Sequence, residues 1–274
     1  MVRRSPFAET LTVAALGVAT ILLVLALGSK PLMDFVVRLS IYGLFAMSLN
    51  VLVGYTGLVS FGHAMFFGFG AYAFGLLMQS GAASIPLAFV ATLAGTVVLA
   101  GFIGGLCIRL TAIYFAFLTL AFQMLIYAVI LSWVSLTGGD QGLQGGIPRP
   151  RFLGINLADP GQSFVITVVL FFGSILLLRQ LLESPFGYSL RMIRDNAARA
   201  SAIGLNVQRY KLASFVIAAL FAALAGILMS LYVSGAYPNF AFWTLSGEGI
   251  FMIMLGGMTV FAGPIVGTAI FLLL

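Results

Sequence analysis

Charge is what this chain has least of: Asp, Glu, Lys and Arg make up 7% of its 274 residues, while 62% are hydrophobic. A soluble domain needs about a quarter of its residues charged, so this chain could not cover itself in water. Histidine and cysteine occur once each, as His63 and Cys107. That excludes a disulfide framework and a metal centre, and it leaves little from which to build a nucleophile with its base. Lysine occurs only as Lys30 and Lys211, neither in the G-x-x-x-x-G-K-[ST] pattern that cradles phosphates. No catalytic residue is assigned.

What is present is long uncharged runs: Thr10 to Ser29, Leu39 to Ile108, Leu110 to Gly139, Pro160 to Leu178, Leu212 to Gly247 and Gly249 to Leu274. One bilayer span takes roughly 20 apolar residues, so the runs predict an all-α, polytopic transmembrane helix bundle of about eight or nine spans. They lack the period-2 alternation of a transmembrane barrel. Small-xxx-small spacings at Ala71 and Gly75, Gly101 and Gly105, and Gly263 and Gly267 are expected to let helices approach closely. The stretch from Leu11 to Leu27, behind Arg3 and Arg4, exceeds a signal-peptide core and predicts an uncleaved first span, despite the small residues from Ala26 to Ser29.

With the N-terminus inside, the span count puts Arg3, Arg4, Arg109, Arg179, Arg191, Arg194, Arg199, Arg209 and Lys211 on the cytoplasmic side. Lys30, Arg38, Arg149 and Arg151 fall outside. This is the asymmetry of the positive-inside rule. The net charge of +6 therefore reports topology, and nothing else points to nucleic acid.

Basic charge concentrates in SPFGYSLRMIRDNAARASAIGLNVQRYKL, Ser184 to Leu212. Ser184 as N-cap, Pro185 in the first turn and Gly204 as a left-handed stop predict one helix from Pro185 to Ile203. Phe186, Leu190, Ile193, Ala197, Ala200 and Ile203 share one face, and Arg191, Arg194, Asp195 and Arg199 the other. A helix resting on lipid headgroups and a helix docked into protein both satisfy this pattern. The small, Ala-rich apolar face without Trp suits docking.

The segment GYTGLVSFGH, Gly54 to His63, interrupts an apolar run with three glycines and several polar groups. Backbone freed at membrane depth has to face protein or a water-filled path. With a helix resuming at Ala64, its N-terminus and the Ser60 hydroxyl are expected to receive a carboxylate. Phe61, Phe66, Phe67 and Tyr72 would then flank an aliphatic side chain. A simple turn between two spans fits the same residues. A lone histidine such as His63 more often packs than titrates. Glu248, an acid near the start of an apolar run, is either functional or solvated at the interface. Gly138 to Gly146 reads GGDQGLQGG, opens no helix and is no dinucleotide fingerprint, so it predicts an outer loop.

Four ordered stretches carry a resemblance. They are LNVLVGYTGLVSFGHAMFFGFGAYAFGLL from Leu49, LTGGDQGLQGGIP from Leu136, SLRMIRDNAARASAIGLNVQRYKLASFVIAALFAALAG from Ser189, and WTLSGEGIFMIMLGGMTVFAGPIVGTAI from Trp243. Together they resemble LivM-type permeases, the membrane subunits of ABC importers for branched-chain amino acids.

The resemblance implies a single permease domain over residues 1–274 with a cytoplasmic coupling loop at 184–211, in the bacterial cytoplasmic (inner) membrane. It implies a second homologous, LivH-type permease subunit, two cytoplasmic ATPase subunits and an extracytoplasmic binding protein. ATP and magnesium would be used by the ATPases, with no cofactor on this chain. Carried onto these residues, it implies a substrate pathway at Tyr55, Thr56, Gly57, Ser60, Gly62 and His63. ATPase coupling falls to Arg191, Arg194, Asp195, Asn196, Gly204 and Asn206, and binding-protein docking to Gly138, Gly139, Asp140 and Gly142.

Ala197 departs from the family, where many members carry Glu. The apolar run still continues at Leu274, so the chain is expected to be incomplete at its C-terminus. A permease for urea, short amides or simple sugars is the alternative within the class. An ion-coupled secondary transporter would need intramembrane acids, which are scarce here.

Overall fold

In the computed structural model, residues 6–81, 84–110, 112–143, 145–149, 151–152 and 155–274 are described; Arg3, Arg4 and Gln144 lie outside them. α1 (Pro6–Leu27) and α2 (Lys30–Asn50) are joined at Gly28, whose φ of 58° suits a residue without Cβ. α2 continues into a π-helical turn, Val51–Thr56. Then follow α3 (Ala64–Gln79), α4 (Ile85–Cys107), α5 (Ala112–Ser132) and the short α6 (Val134–Thr137). The chain ends with α7 (Pro160–Glu183), α8 (Pro185–Asp195), α9 (Ala197–Ala202), α10 (Val207–Val233), α11 (Trp243–Gly256) and α12 (Gly263–Leu273). A two-residue antiparallel ladder, Arg151–Phe152 with Ile155–Asn156, is the one strand pairing among the described residues.

The protein is thus the expected all-α polytopic membrane bundle. Among the described residues, five helical stretches, Lys30–Thr56, Ile85–Cys107, Ile113–Ser132, Pro160–Glu183 and Val207–Val233, are long and apolar enough to cross a membrane. Ala64–Gln79 and Gly263–Leu273 are apolar but shorter.

α2 and α10 form the centre. α10 packs on α2, α3 and α4, and α2 also packs on α7, α11 and α12. In lipid, helices associate through close packing rather than hydrophobic expulsion, and small residues make that possible. A Cβ on Gly226 of α10 would lie 2.0 Å from the Phe67 carbonyl oxygen, and one on Gly70 of α3 would lie 2.3 Å from that of Ala223. The Gly263 and Gly267 pair works the same way: a Cβ on Gly267 would lie 1.8 Å from the Met252 carbonyl oxygen of α11. Gly75 is packed by Leu143 and Ile147. Gly101 and Gly105 meet nothing within 4 Å, and it is Gly104 that packs, against Phe215 and Leu212. The face α4 presents to α10 is therefore one residue away from the expected one.

The helix expected from Pro185 to Ile203 is broken. Asn196 leaves the helix at φ −159° and ψ 98°, and its side chain accepts from the Arg199 N–H at 2.9 Å, opening α9. Asn competes with helical backbone bonds in this way, which makes it a cap rather than an interior residue. The break shifts the phase of the apolar face: Leu190, Ile193 and Ala200 are buried while Ile203 is exposed. Ser184 sits at the N-cap of α8, but its hydroxyl donates back to the Leu181 carbonyl at 2.6 Å.

Candidate functional site

From Gly57 to Gly62 the backbone is neither helix nor turn, and its residues alternate: Gly57, Val59 and Phe61 are exposed, Leu58, Ser60 and Gly62 buried. Alternation of that kind is the signature of extended chain. Gly57 leaves the π-turn at φ 75°, a left-handed exit that favours glycine. A Cβ on Gly62 would lie 2.2 Å from the Thr119 carbonyl oxygen. Thr119 is about 10 Å along α5 from its first residue. The interruption therefore lies beside α5, within the helical bundle, rather than as a loop beyond its end.

The outer side of this segment is one wall of an apolar groove of about 450 Å³, completed by Ile113, Ala116, Phe117 and Leu120 of α5 and by Trp243. The inner side carries the polar residues. Ser48 donates its only hydroxyl proton to the Phe45 carbonyl at 2.7 Å, so the His63 Nε2 that lies 2.9 Å from the same oxygen donates to it. The His63 ring lies 5.4 Å from Phe45 and 6.2 Å from Phe66 between centroids. Ser60 is fully buried, and its hydroxyl meets no partner.

A helix does resume at Ala64, but its first N–H groups are taken. Ala64 donates to Ser246 Oγ at 2.8 Å, Met65 to the Gly62 carbonyl and Phe66 to the His63 carbonyl. The expected carboxylate cradle at this helix end is thus occupied by the protein itself. Ser246 in turn donates to Gln123 Oε1 at 3.0 Å, so α3, α5 and α11 are stitched together directly behind the groove.

At the basic end, Arg191 donates to the Leu182 carbonyl at 2.8 Å and lies over the rings of Tyr55 (5.3 Å) and Tyr188 (5.0 Å). Arg194 donates to the Gly54 carbonyl of the π-turn and pairs with Asp195 at 3.0 Å. The two arginines expected to face outward are therefore also engaged inward. Asn196 and Asn206 cap α9 and α10, and Gly204 stops α9 at φ 93°. Arg109 meets this region across a cleft of about 860 Å³ shared with Ala198, Ser201 and Lys211.

At the opposite end, Gly138, Gly139 and Gly142 all have positive φ. The glycine-rich segment is tied down: Leu143 and Ile147 donate to the carbonyls of Ala236 and Ser234, both at 2.9 Å, and Gln79 donates to the Gly146 carbonyl. Asp140 is exposed at its tip. Arg149 donates to the Tyr232 carbonyl at 2.9 Å, and its partial burial lowers its pKa from the usual guanidinium value.

Residues 31–274 match the family model described as branched-chain amino acid transport system / permease component. The chain belongs to that family. This permease is 28% identical over 258 residues to the high-affinity branched-chain amino acid transport system permease protein LivM of Salmonella typhimurium and to that of Escherichia coli K12. Those alignments take in 84% of this chain and 59% of each relative, so the chain spans about three fifths of their length. It is 30% identical over 205 residues to the autoinducer 2 import system permease protein LsrC of Salmonella paratyphi B, across 73% of this chain and 55% of that one. No solved structure matches.

The chain is accordingly a multi-pass membrane protein. Of the expected pathway residues, Tyr55, Thr56, Ser60, Gly62 and His63 face the interior and Gly57 faces the groove. Sequence reasoning missed Val59, Trp243 and the α5 wall, which are apolar residues among many, and it missed Ser48, Gln123 and Ser246. A polar side chain inside an apolar run was the signal available for those three. Among the described residues no three His, Cys, Asp or Glu lie together as metal ligands.

Proposed function

We propose that this chain is the membrane permease subunit of an ATP-driven importer and that its cargo is a branched-chain amino acid. The observation that carries the reading is the family match over residues 31–274. In it, a second homologous permease subunit covers the groove of Gly57, Val59, Phe61 and Trp243, which becomes part of the cargo path. Its apolar lining suits an aliphatic side chain. Two cytoplasmic ATPase subunits dock on α8 and α9 and supply the energy with their own ATP and magnesium. An extracytoplasmic binding protein delivers cargo at Gly138, Gly139, Asp140 and Gly142.

The likeness to LsrC favours a second reading for the cargo alone. Both are tested by reconstituting the chain in vesicles with a LivH-type permease subunit, two ATPase subunits and a binding protein from the same genome. ATP-dependent uptake of leucine, isoleucine or valine supports the proposal. Uptake of autoinducer 2 with none of leucine moves the cargo to the second reading. Uptake by this chain alone, driven by an ion gradient, overturns both.

A further inference from the structure

The geometry points to Arg194 as a positioning residue that carries movement of α8 to the wall of the groove through Gly54 and Gly57. The inference rests on the permease reading above. Gly54 lies in the last turn before the helix ends, where carbonyls lack intrahelical partners. The Arg194 guanidinium supplies that partner from a residue 140 positions away. A cation at a helix C-terminus is also favoured by the helix dipole.

The other edge of the same guanidinium is fixed to its own helix, since Nε and Nη2 bond Asp195 Oδ1 at 3.1 and 3.0 Å. Arg194 therefore moves with the end of α8. Gly57 lies against its stem: a Cβ there would come 2.9 Å from Arg194 Cγ. Gly57 also lines the groove, with Val59 and Phe61. One residue thus touches the coupling segment on one side and the candidate path on the other. At Gly54 there is no room for a side chain, because a Cβ would lie 2.4 Å from both Asn50 Oδ1 and the Met258 carbonyl oxygen. Beyond the Arg194 side chain, itself held at both edges, the link runs through the backbone of Gly54 and Gly57. An arginine that only docked the ATPases would need neither contact.

The test uses the assembled transporter carrying Phe61→Cys and Cys107→Ser, labelled with a small maleimide in nucleotide-free and ATP-bound states. The parent is expected to label at different rates in the two states. In Arg194→Gln the ratio of rates is expected to fall to about 1, the value for no coupling. Arg194→Lys, which keeps charge and donors, is expected to restore part of it, with the ATPases co-purifying throughout. An unchanged ratio in Arg194→Gln overturns the inference. So does loss of the ATPases from that variant, which makes Arg194 a docking residue. If Arg194→Gln does not reach the membrane, Asp195→Ala decides, because it removes the acceptor that fixes the guanidinium to the end of α8 from a side chain that is 67% exposed; an unchanged ratio there, with the ATPases still bound, overturns the inference. A parent without a nucleotide response at any position from 57 to 62 overturns the permease reading, and the inference with it.

Discussion

Ser246 on α11 accepts the backbone N–H of Ala64 at 2.8 Å, which places one hydroxyl at the start of α3 where a ligand was expected. The same hydroxyl donates to Gln123. Ser246→Ala would leave a buried N–H and a buried amide oxygen unpaired, at a cost of about 1–3 kcal/mol each. We expect a clear drop in the unfolding midpoint in detergent, while Ser246→Thr, which keeps the hydroxyl, loses less. An unchanged midpoint for Ser246→Ala would show that the bond contributes nothing.

Cysteines placed singly from Leu58 to Phe61, in a Cys107→Ser background, should label in alternation. Positions 59 and 61 are expected to react with a small thiol reagent much faster than 58 and 60, because extended chain turns every second side chain inward. Equal rates at 59 and 60 would be incompatible with this backbone.

Glycines at helical spacing should divide sharply. Gly267→Ala puts a methyl where the Met252 carbonyl already lies and is expected to separate α11 from α12, with a loss of folded protein in the membrane. Gly101→Ala meets nothing within 4 Å and should be neutral, or stabilise by up to about 1 kcal/mol through helix propensity. Thermal unfolding of the two variants side by side gives the answer; a reversed order would mean the packing at these helices is wrong.

Asp140 offers a test at the other end. Its side chain is exposed while the glycines around it are held in place, so Asp140→Ala should leave folding intact. Under the proposed function it should weaken binding-protein-stimulated ATP hydrolysis. Stimulation at the parent level would remove Asp140 from the docking surface.

The His63 ring is packed between Phe45 and Phe66 with its Nε2–H on Ser48. His63→Ala should destabilise by about 2–4 kcal/mol, as truncation of a buried side chain does. His63→Gln keeps a donor and should lose less. If the alanine variant is as stable as the parent, the ring is not a packing element.

Sequence by itself determined that this protein is a helical membrane bundle, because scarce charge and apolar runs of span length admit no other architecture. It also located the interruption between Gly54 and His63, the restart at Ala64 and the stop at Gly204, since glycine and polar clusters act on backbone locally. It did not determine the break at Asn196, where one side-chain bond to Arg199 outweighs helix continuation. Nor did it show which face of the Gly57 to Gly62 segment looks outward, because in a membrane protein both faces are apolar and periodicity carries no contrast. Arg194 reaching Gly54, and Ser246 reaching Ala64, join residues far apart in the chain. Only the tertiary structure decided those contacts, because they depend on how α2, α3, α8 and α11 stack, and that is set by close glycine packing rather than by any local preference.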